Sequence, residues 1–157
     1  MPAVVPNLWF DTAALDADEY YCTVFPRSRV VSVAPYPESA GERAGTPLSV
    51  TFELDGSRFV GINGGPRFTF DEAVSFAIDC ADQSEVDHYW DALTAGGRES
   101  ECGWLVDRFG LSWQVVPRRL HELLADPDPA RAGRAVQAMY GMRRLDVAAL
   151  ERAADGR

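Results

Sequence analysis

No run of 18 apolar residues occurs in this chain, and its start, MPAVVPNLWFD, lacks a basic stretch followed by an apolar core. Neither a membrane span nor a signal peptide is expected, and the location that follows is cytoplasmic. Basic residues are outnumbered 15 to 24, for a formal net charge of −9. Such a surface repels phosphates, which argues against nucleic acid and anionic membranes as partners. Histidine occurs only at His88 and His121, a separation that makes no local zinc motif. Both fall on expected helix surfaces, so no Ser-His-Asp or Cys-His pairing can be argued. Cysteine occurs three times, at Cys22, Cys80 and Cys102, an odd number spread through apolar segments. They read as buried free thiols rather than a disulfide framework, with Cys102 beside Gly103 the one candidate for reactivity. A glycine-rich turn opening a helix, with an acid about 20 residues on, is also missing, so no dinucleotide-type cofactor site is expected.

What is present suits an ordinary globule: 157 residues, 46% hydrophobic and 25% charged. A chain of this size buries roughly 70% of its unfolded surface and needs no metal or disulfide to fold. Its organising stretch is CGWLVDRFGLSWQVVP, residues 102–117, two strands joined at Asp107-Arg108-Phe109-Gly110. Strand alternation puts Ser112, Gln114 and Val116 on one side and Trp113 and Val115 on the other. With helices over the Trp113 side, Gln114 is expected to look into whatever concavity the sheet makes.

Taken in order, residues 4–10 suit a buried strand and 13–25 an amphipathic helix, with Ala14, Ala17, Tyr21, Val24 and Phe25 on its apolar face. Pro26 ends it. Residues 29–34 form a β-branched strand, and 35–46 a loop, the most mobile interior segment by composition. Strands 48–54 and 58–62 pair around Asp55-Gly56. Asn63-Gly64-Gly65-Pro66 breaks the sheet. The pattern then restarts: a strand at 74–78, a helix capped by Asp82 with Glu85 three residues on, and the apolar face Val86, Tyr89, Trp90 and Leu93. Gly96-Gly97 stop that helix before the organising hairpin. The two halves match, Asn7-Leu8-Trp9-Phe10-Asp11 against Ser75-Phe76-Ala77-Ile78-Asp79 and Tyr20-Tyr21 against Tyr89-Trp90. The chain is read as a duplicated βαβββ unit: residues 1–66, then 67–118, then C-terminal helices over 119–157. Within those helices, 121–124 makes a short turn, Asp128 caps a helix striped with Ala132, Ala135, Val136 and Met139, and Asp146 caps a last one with Val147, Leu150 and Ala154 inward.

Asn63-Gly64-Gly65-Pro66 with Phe68 and Phe70, Ser75-Phe76, Tyr89-Trp90, Gly96-Gly97, Cys102-Gly103-Trp104-Leu105 and Asp107-x-Phe109-Gly110-x-Ser112-Trp113-Gln114 resemble the PhnB-like branch of the vicinal-oxygen-chelate, or glyoxalase/bleomycin-resistance, superfamily. That branch is also labelled 3-demethylubiquinone-9 3-methyltransferase-like. The resemblance covers nearly the whole chain and implies an α+β fold of two βαβββ modules with a C-terminal helical extension, assembled as a homodimer. A 17.3 kDa species in sedimentation would contradict the dimer.

Enzymes of the superfamily hold a divalent metal between two histidines and a glutamate. By the repeat, those positions are Asn7, Ser75 and Gln114 here. All are neutral, with no imidazole or anionic donor, so neither a metal nor another cofactor is expected. The expected ligand-binding cleft comprises Asn7, Trp9, Asn63, Ser75, Trp104 and Gln114, around a small apolar or aromatic molecule. By strand parity Trp9 walls the cleft and Trp113 belongs to the core, while Trp104 suits either place. The acids Asp11, Asp16, Asp18 and Glu19 read as the solvated start of the first helix. Arg67 and Arg108, in turns, read as solvated unless they hold an anion. The expected function is metal-independent small-molecule binding. Open beside it are a metal-dependent lyase, isomerase or dioxygenase and an interaction module with a filled cleft; methyl transfer is disfavoured by the missing cofactor turn.

Overall fold

A computed structural model describes residues 4–157 and divides them into two compact units, one ending at Phe70 and the other spanning Asp71–Arg157. In the first unit, β1 (Asn7–Phe10), α1 (Ala14–Val24), β2 (Arg29–Pro35), β3 (Pro47–Leu54) and β4 (Ser57–Asn63) form one sheet of order β1-β4-β3-β2. The second repeats this order: β5 (Phe76–Cys80), α2 (Gln83–Thr94), β6 (Arg98–Glu99), β7 (Trp104–Val106) and β8 (Ser112–Pro117) give β5-β8-β7-β6. The first and last strands of each unit pair in parallel and the others antiparallel. The duplicated βαβββ reading therefore holds at the level of topology.

In the first unit one sheet face is apolar and carries α1. Leu8, Phe10, Val50, Phe52, Leu54 and Phe59 are buried with Ala14, Ala17, Tyr21 and Val24 of the helix. Phe52 stacks between Tyr21 and Phe59, with ring centroids 6.4 and 5.3 Å away. Asp55 and Gly56 both take positive φ, 46° and 84°, as the two-residue turn between β3 and β4 requires. The expected strand at 4–10 begins later, at Asn7: Pro6 has no N–H to give a ladder, and Val4 is fully exposed. The segment expected as a plain loop holds a 3-10 helix, Glu38–Arg43, and is closed by Tyr36 N–H to Thr46 O (2.8 Å) and Gly45 N–H to Tyr36 O (3.1 Å).

In the second unit Asp82 caps α2 by accepting from Glu85 N–H (3.1 Å), and Val86, Trp90 and Leu93 are fully buried. Val74 is exposed and lies outside β5, which runs instead to Cys80. The short strand β6 was not legible, being only two exposed polar residues. After β8 come α3 (Arg118–Leu124), longer than the expected turn, then α4 (Pro129–Tyr140) and α5 (Val147–Ala154), capped by Asp128 and Asp146. Val116, Leu120, Leu123, Ala135, Leu145, Leu150 and Ala154 make their shared core. No described helix is long and apolar enough to cross a membrane.

Candidate functional site

Each unit has a second sheet face that is only partly buried, and the residues singled out from the sequence divide between these two faces except Asn63, which is buried on the face that carries α1. In the second unit Gln114 sits mid-strand on β8, between Ala77 of β5 and Trp104 of β7 in one cross-strand row. Directly opposite residues share a face, so this row places a small side chain, an amide and an indole side by side. Gln114 and Trp104 are half-buried and Ala77 is exposed, whereas the alternate residues Trp113 and Val115 are buried. Gln114 Nε2 donates to Ser75 Oγ at 2.9 Å. Among the described residues nothing donates to its Oε1, which leaves an oriented acceptor on an otherwise apolar row. Ser112 and Val116 share Gln114's parity, but both are buried, and Ser112 Oγ has no partner. The reachable polar surface of β8 is thus Gln114 alone.

In the first unit Trp9 pairs with Ile62, which pairs with Ser49 across the sheet, and Asn7 stands in the next row with Val60 and Thr51. Asn7 is exposed and its Nδ2 donates to Val5 O at 2.9 Å. Trp9 is half-buried and held on three sides. Its Nε1 donates to Gly65 O (2.9 Å), Phe68 meets it edge-on at 5.1 Å, and its ring lies flat on Gly64. A Cβ at residue 64 would fall 2.1 Å from the indole. Gly64→Ala should therefore destabilise the unit by about 1–3 kcal/mol through overpacking and displace the indole, read by urea titration of tryptophan fluorescence.

Asn63 has both ends of its amide engaged within the unit. Oδ1 accepts from Ala14 N–H and Nδ2 donates to Pro47 O, each at 2.9 Å. Ala13 offers α1 no side-chain cap, so Asn63 supplies one from across the sheet. Its own carbonyl accepts from the Tyr36 hydroxyl.

The cysteines are partly as expected. All three are free, but only Cys80 is buried; Cys22 and Cys102 are half-exposed. Burial pushes the Cys80 thiol up to about 12 and also raises Cys22 and Cys102, with Asp18 and Glu19 adding to the first and Glu101 to the second. Thiols held protonated are poor nucleophiles. His88 and His121 are exposed on their helices.

Asp18 departs most from the sequence reading. It is fully buried in α1, and neither carboxyl oxygen has a partner among the described residues. Burial alone raises it to about 8. It fits beneath Gly61, where a Cβ would lie 2.8 Å from Oδ2. Helical spacing was the missed signal: Asp18 lies four residues after Ala14 and three before Tyr21, on the apolar face.

The superfamily's metal does not fit the residues present. Asn7 binds the Val5 carbonyl just before its strand, Ser75 and Gln114 bind each other, and none offers a charged or imidazole donor. Among the described residues no three His, Cys, Asp or Glu side chains converge.

Two mixed four-stranded sheets, each built as βαβββ, define a vicinal-oxygen-chelate fold with C-terminal helices added. The sequence profile of the 3-demethylubiquinone-9 3-methyltransferase family matches residues 2–116, and the chain belongs to that PhnB-like family. Among solved structures it is similar to a PhnB protein from Bacillus cereus, at 29% identity and a TM-score of 0.68, over 74% of this chain and 99% of that one. Protein PA1353 from Pseudomonas aeruginosa aligns at 18% identity and TM-score 0.64, over 74% and 98%. A mutant of the fosfomycin resistance protein FosX from Listeria monocytogenes, complexed with Mn(II) and a dihydroxypropylphosphonic acid, aligns at 12% identity and TM-score 0.50, over 73% and 91%. The last two share the fold alone. No curated protein matches the chain.

Proposed function

We propose that this protein binds a small, largely apolar or aromatic molecule without a metal. The observation that carries this is the Ser75–Gln114 pair: an amide fixed by its Nε2, with its carbonyl oxygen available, in a row with Trp104 and the small Ala77. Pockets for small molecules combine apolar walls with a few oriented polar groups. Trp9, fixed by Gly65 and Phe68, gives the first unit's open face the same character. The donor chemistry at Asn7, Ser75 and Gln114 favours this reading over the Mn(II)-bearing FosX precedent. Methyl transfer has no support from the glycines. Gly64 lies under Trp9 and Gly65 accepts its indole N–H, so neither opens a helix onto a cofactor phosphate.

The test is ligand-observed NMR with a panel of substituted phenols and aryl ketones, repeated on Gln114→Leu. A phenol hydroxyl donating to Oε1 contributes about 1 kcal/mol, so hits should weaken about five- to ten-fold in the variant. Hits indifferent to Gln114 and Trp104 substitution would refute the reading.

A further inference from the structure

The first unit contains a concavity that the Ser75–Gln114 reading does not use. It lies where β1 and β4, a parallel pair, both end, and its volume is about 460 Å3. Asp11 and Thr12 form one wall, Asn63, Gly65 and Pro66 another, and the segment from Tyr36 to Pro47 the third. That size suits a ligand of amino-acid dimensions or somewhat larger.

Charge distinguishes this cavity. All 15 basic residues of the chain are arginines, and most are spent in ion pairs, Arg29 on Glu53, Arg118 on Asp79 and Arg144 on Asp87 and Asp91 among them. Arg43, in the cavity wall, has no carboxylate partner among the described residues. Its guanidinium lies over the Tyr36 ring, 4.6 Å from the centroid, and its Nη1 donates to the Tyr36 hydroxyl at 3.2 Å. That hydroxyl in turn donates to Asn63 O, and Thr46 Oγ1 donates to Arg43 O at 2.7 Å. The cation is thus positioned by its neighbours while most of its five N–H donors remain unspent. Asp11 and Glu42 line the same cavity, and their carboxylates make no hydrogen bond or ion pair among the described residues.

Opposite charges in one cavity that do not satisfy each other select a ligand with both signs. A simple anion would find Arg43 but also meet two carboxylates inside a protein of net charge −9. A simple amine would leave the positioned guanidinium without an anion. The geometry points to a binding site for a small zwitterion: its carboxylate on Arg43, its ammonium toward Asp11 and Glu42, and an apolar side chain against Pro47, Pro66 and the Tyr36 ring.

Three probes sharing one ring and differing only in charge test this: phenylalanine, 3-phenylpropanoate and 2-phenylethylamine, each titrated into the full chain and followed by amide chemical shifts. Phenylalanine should perturb residues 11–12, 36–47 and 63–65, with an affinity at least ten-fold above either singly charged probe. Arg43→Gln should remove that advantage while leaving the shifts of the second unit unchanged, and Glu42→Gln should weaken phenylalanine without weakening 3-phenylpropanoate. Equal binding of all three probes, phenylalanine binding insensitive to Arg43→Gln, or no shift at these residues overturns the proposal. Because the site lies wholly in the first unit, each of those results leaves the Gln114 reading to its own test.

Discussion

Asp107→Ala is expected to destabilise the second unit by about 3–5 kcal/mol, the largest effect of any single polar substitution considered. Asp107 is buried at the turn between β7 and β8. Its Oδ1 accepts from Phe109 N–H (2.8 Å) and Leu111 N–H (3.0 Å), and its Oδ2 from Trp113 Nε1 (2.8 Å). One carboxylate therefore closes the turn and anchors the core indole of β8. Truncation takes this acceptor away from three donors. Each buried orphan costs about 1–3 kcal/mol, and bonds to an ionised acceptor are the stronger kind. Water can reach the turn amides in the variant, which keeps the total below the sum. Asp107→Asn is the control: its one carbonyl can keep the turn amides, but its NH2 then faces the indole N–H donor, for a loss of about 1–2 kcal/mol. Urea unfolding followed by near-UV circular dichroism separates the two. Equal losses for Ala and Asn would mean that the indole bond alone matters.

Asp18 governs how stability responds to pH. Its folded-state value of about 8 against an ordinary 3.8 means that the folded protein holds a proton the unfolded chain gives up. Stability is then fullest below pH 4 as far as this group is concerned, declines as pH rises from about 4 to about 8, and levels off above. One unit of difference corresponds to about 1.4 kcal/mol, so this gap sets a ceiling of roughly 5–6 kcal/mol, which water entry reduces to a few. No cation compensates. The sheet residues facing α1 at this depth, Phe59, Gly61, Val50 and Phe52, are apolar, and the titratable neighbours on the helix itself, Asp16, Glu19, Tyr21 and Cys22, carry no positive charge. Asp18→Asn removes the ionisation at nearly constant shape. Its melting temperature should lie below or near that of the native chain at pH 5 and several degrees above it at pH 9. Parallel curves for the two proteins across that range would show that Asp18 keeps an ordinary pKa.

These two aspartates show what the sequence disclosed and where it stopped. Asp107-Arg108-Phe109-Gly110 was legible as a turn because glycine and aspartate have local reasons to be there, and strand alternation placed Trp113 in the core. Asp55-Gly56 and the α2 cap at Asp82 were legible for the same reason: each signal acts within four residues. Asn63 was not. Its role as the cap of α1 depends on a partner 49 positions away, and an asparagine before Gly-Gly reads equally well as a sheet breaker or a cleft residue. The start of α1 misled because its acids cluster by number while only Asp18 turns inward by angle. The 35–46 segment has loop composition, and although its 3-10 turn is closed by local backbone bonds, its hold on Arg43 runs through the Tyr36 hydroxyl, which reaches Asn63 across the sheet. Where a contact is local the chemistry is written in the motif; where it spans the sheet, the motif names the residue but not its use.

The proposed role of the Ser75–Gln114 face is to bind an organic ligand without a metal. Elemental analysis of freshly purified, chelator-free protein by plasma mass spectrometry, with native mass spectrometry of the same sample, tests it most directly. Less than roughly a tenth of an equivalent of any divalent metal is expected, because neutral amide and hydroxyl donors do not repay cation dehydration, together with binding of small aromatics that Gln114→Leu weakens. A stoichiometric divalent metal, lost in the Gln114→Leu protein, would contradict it and move the chain among the metal-dependent members of its superfamily.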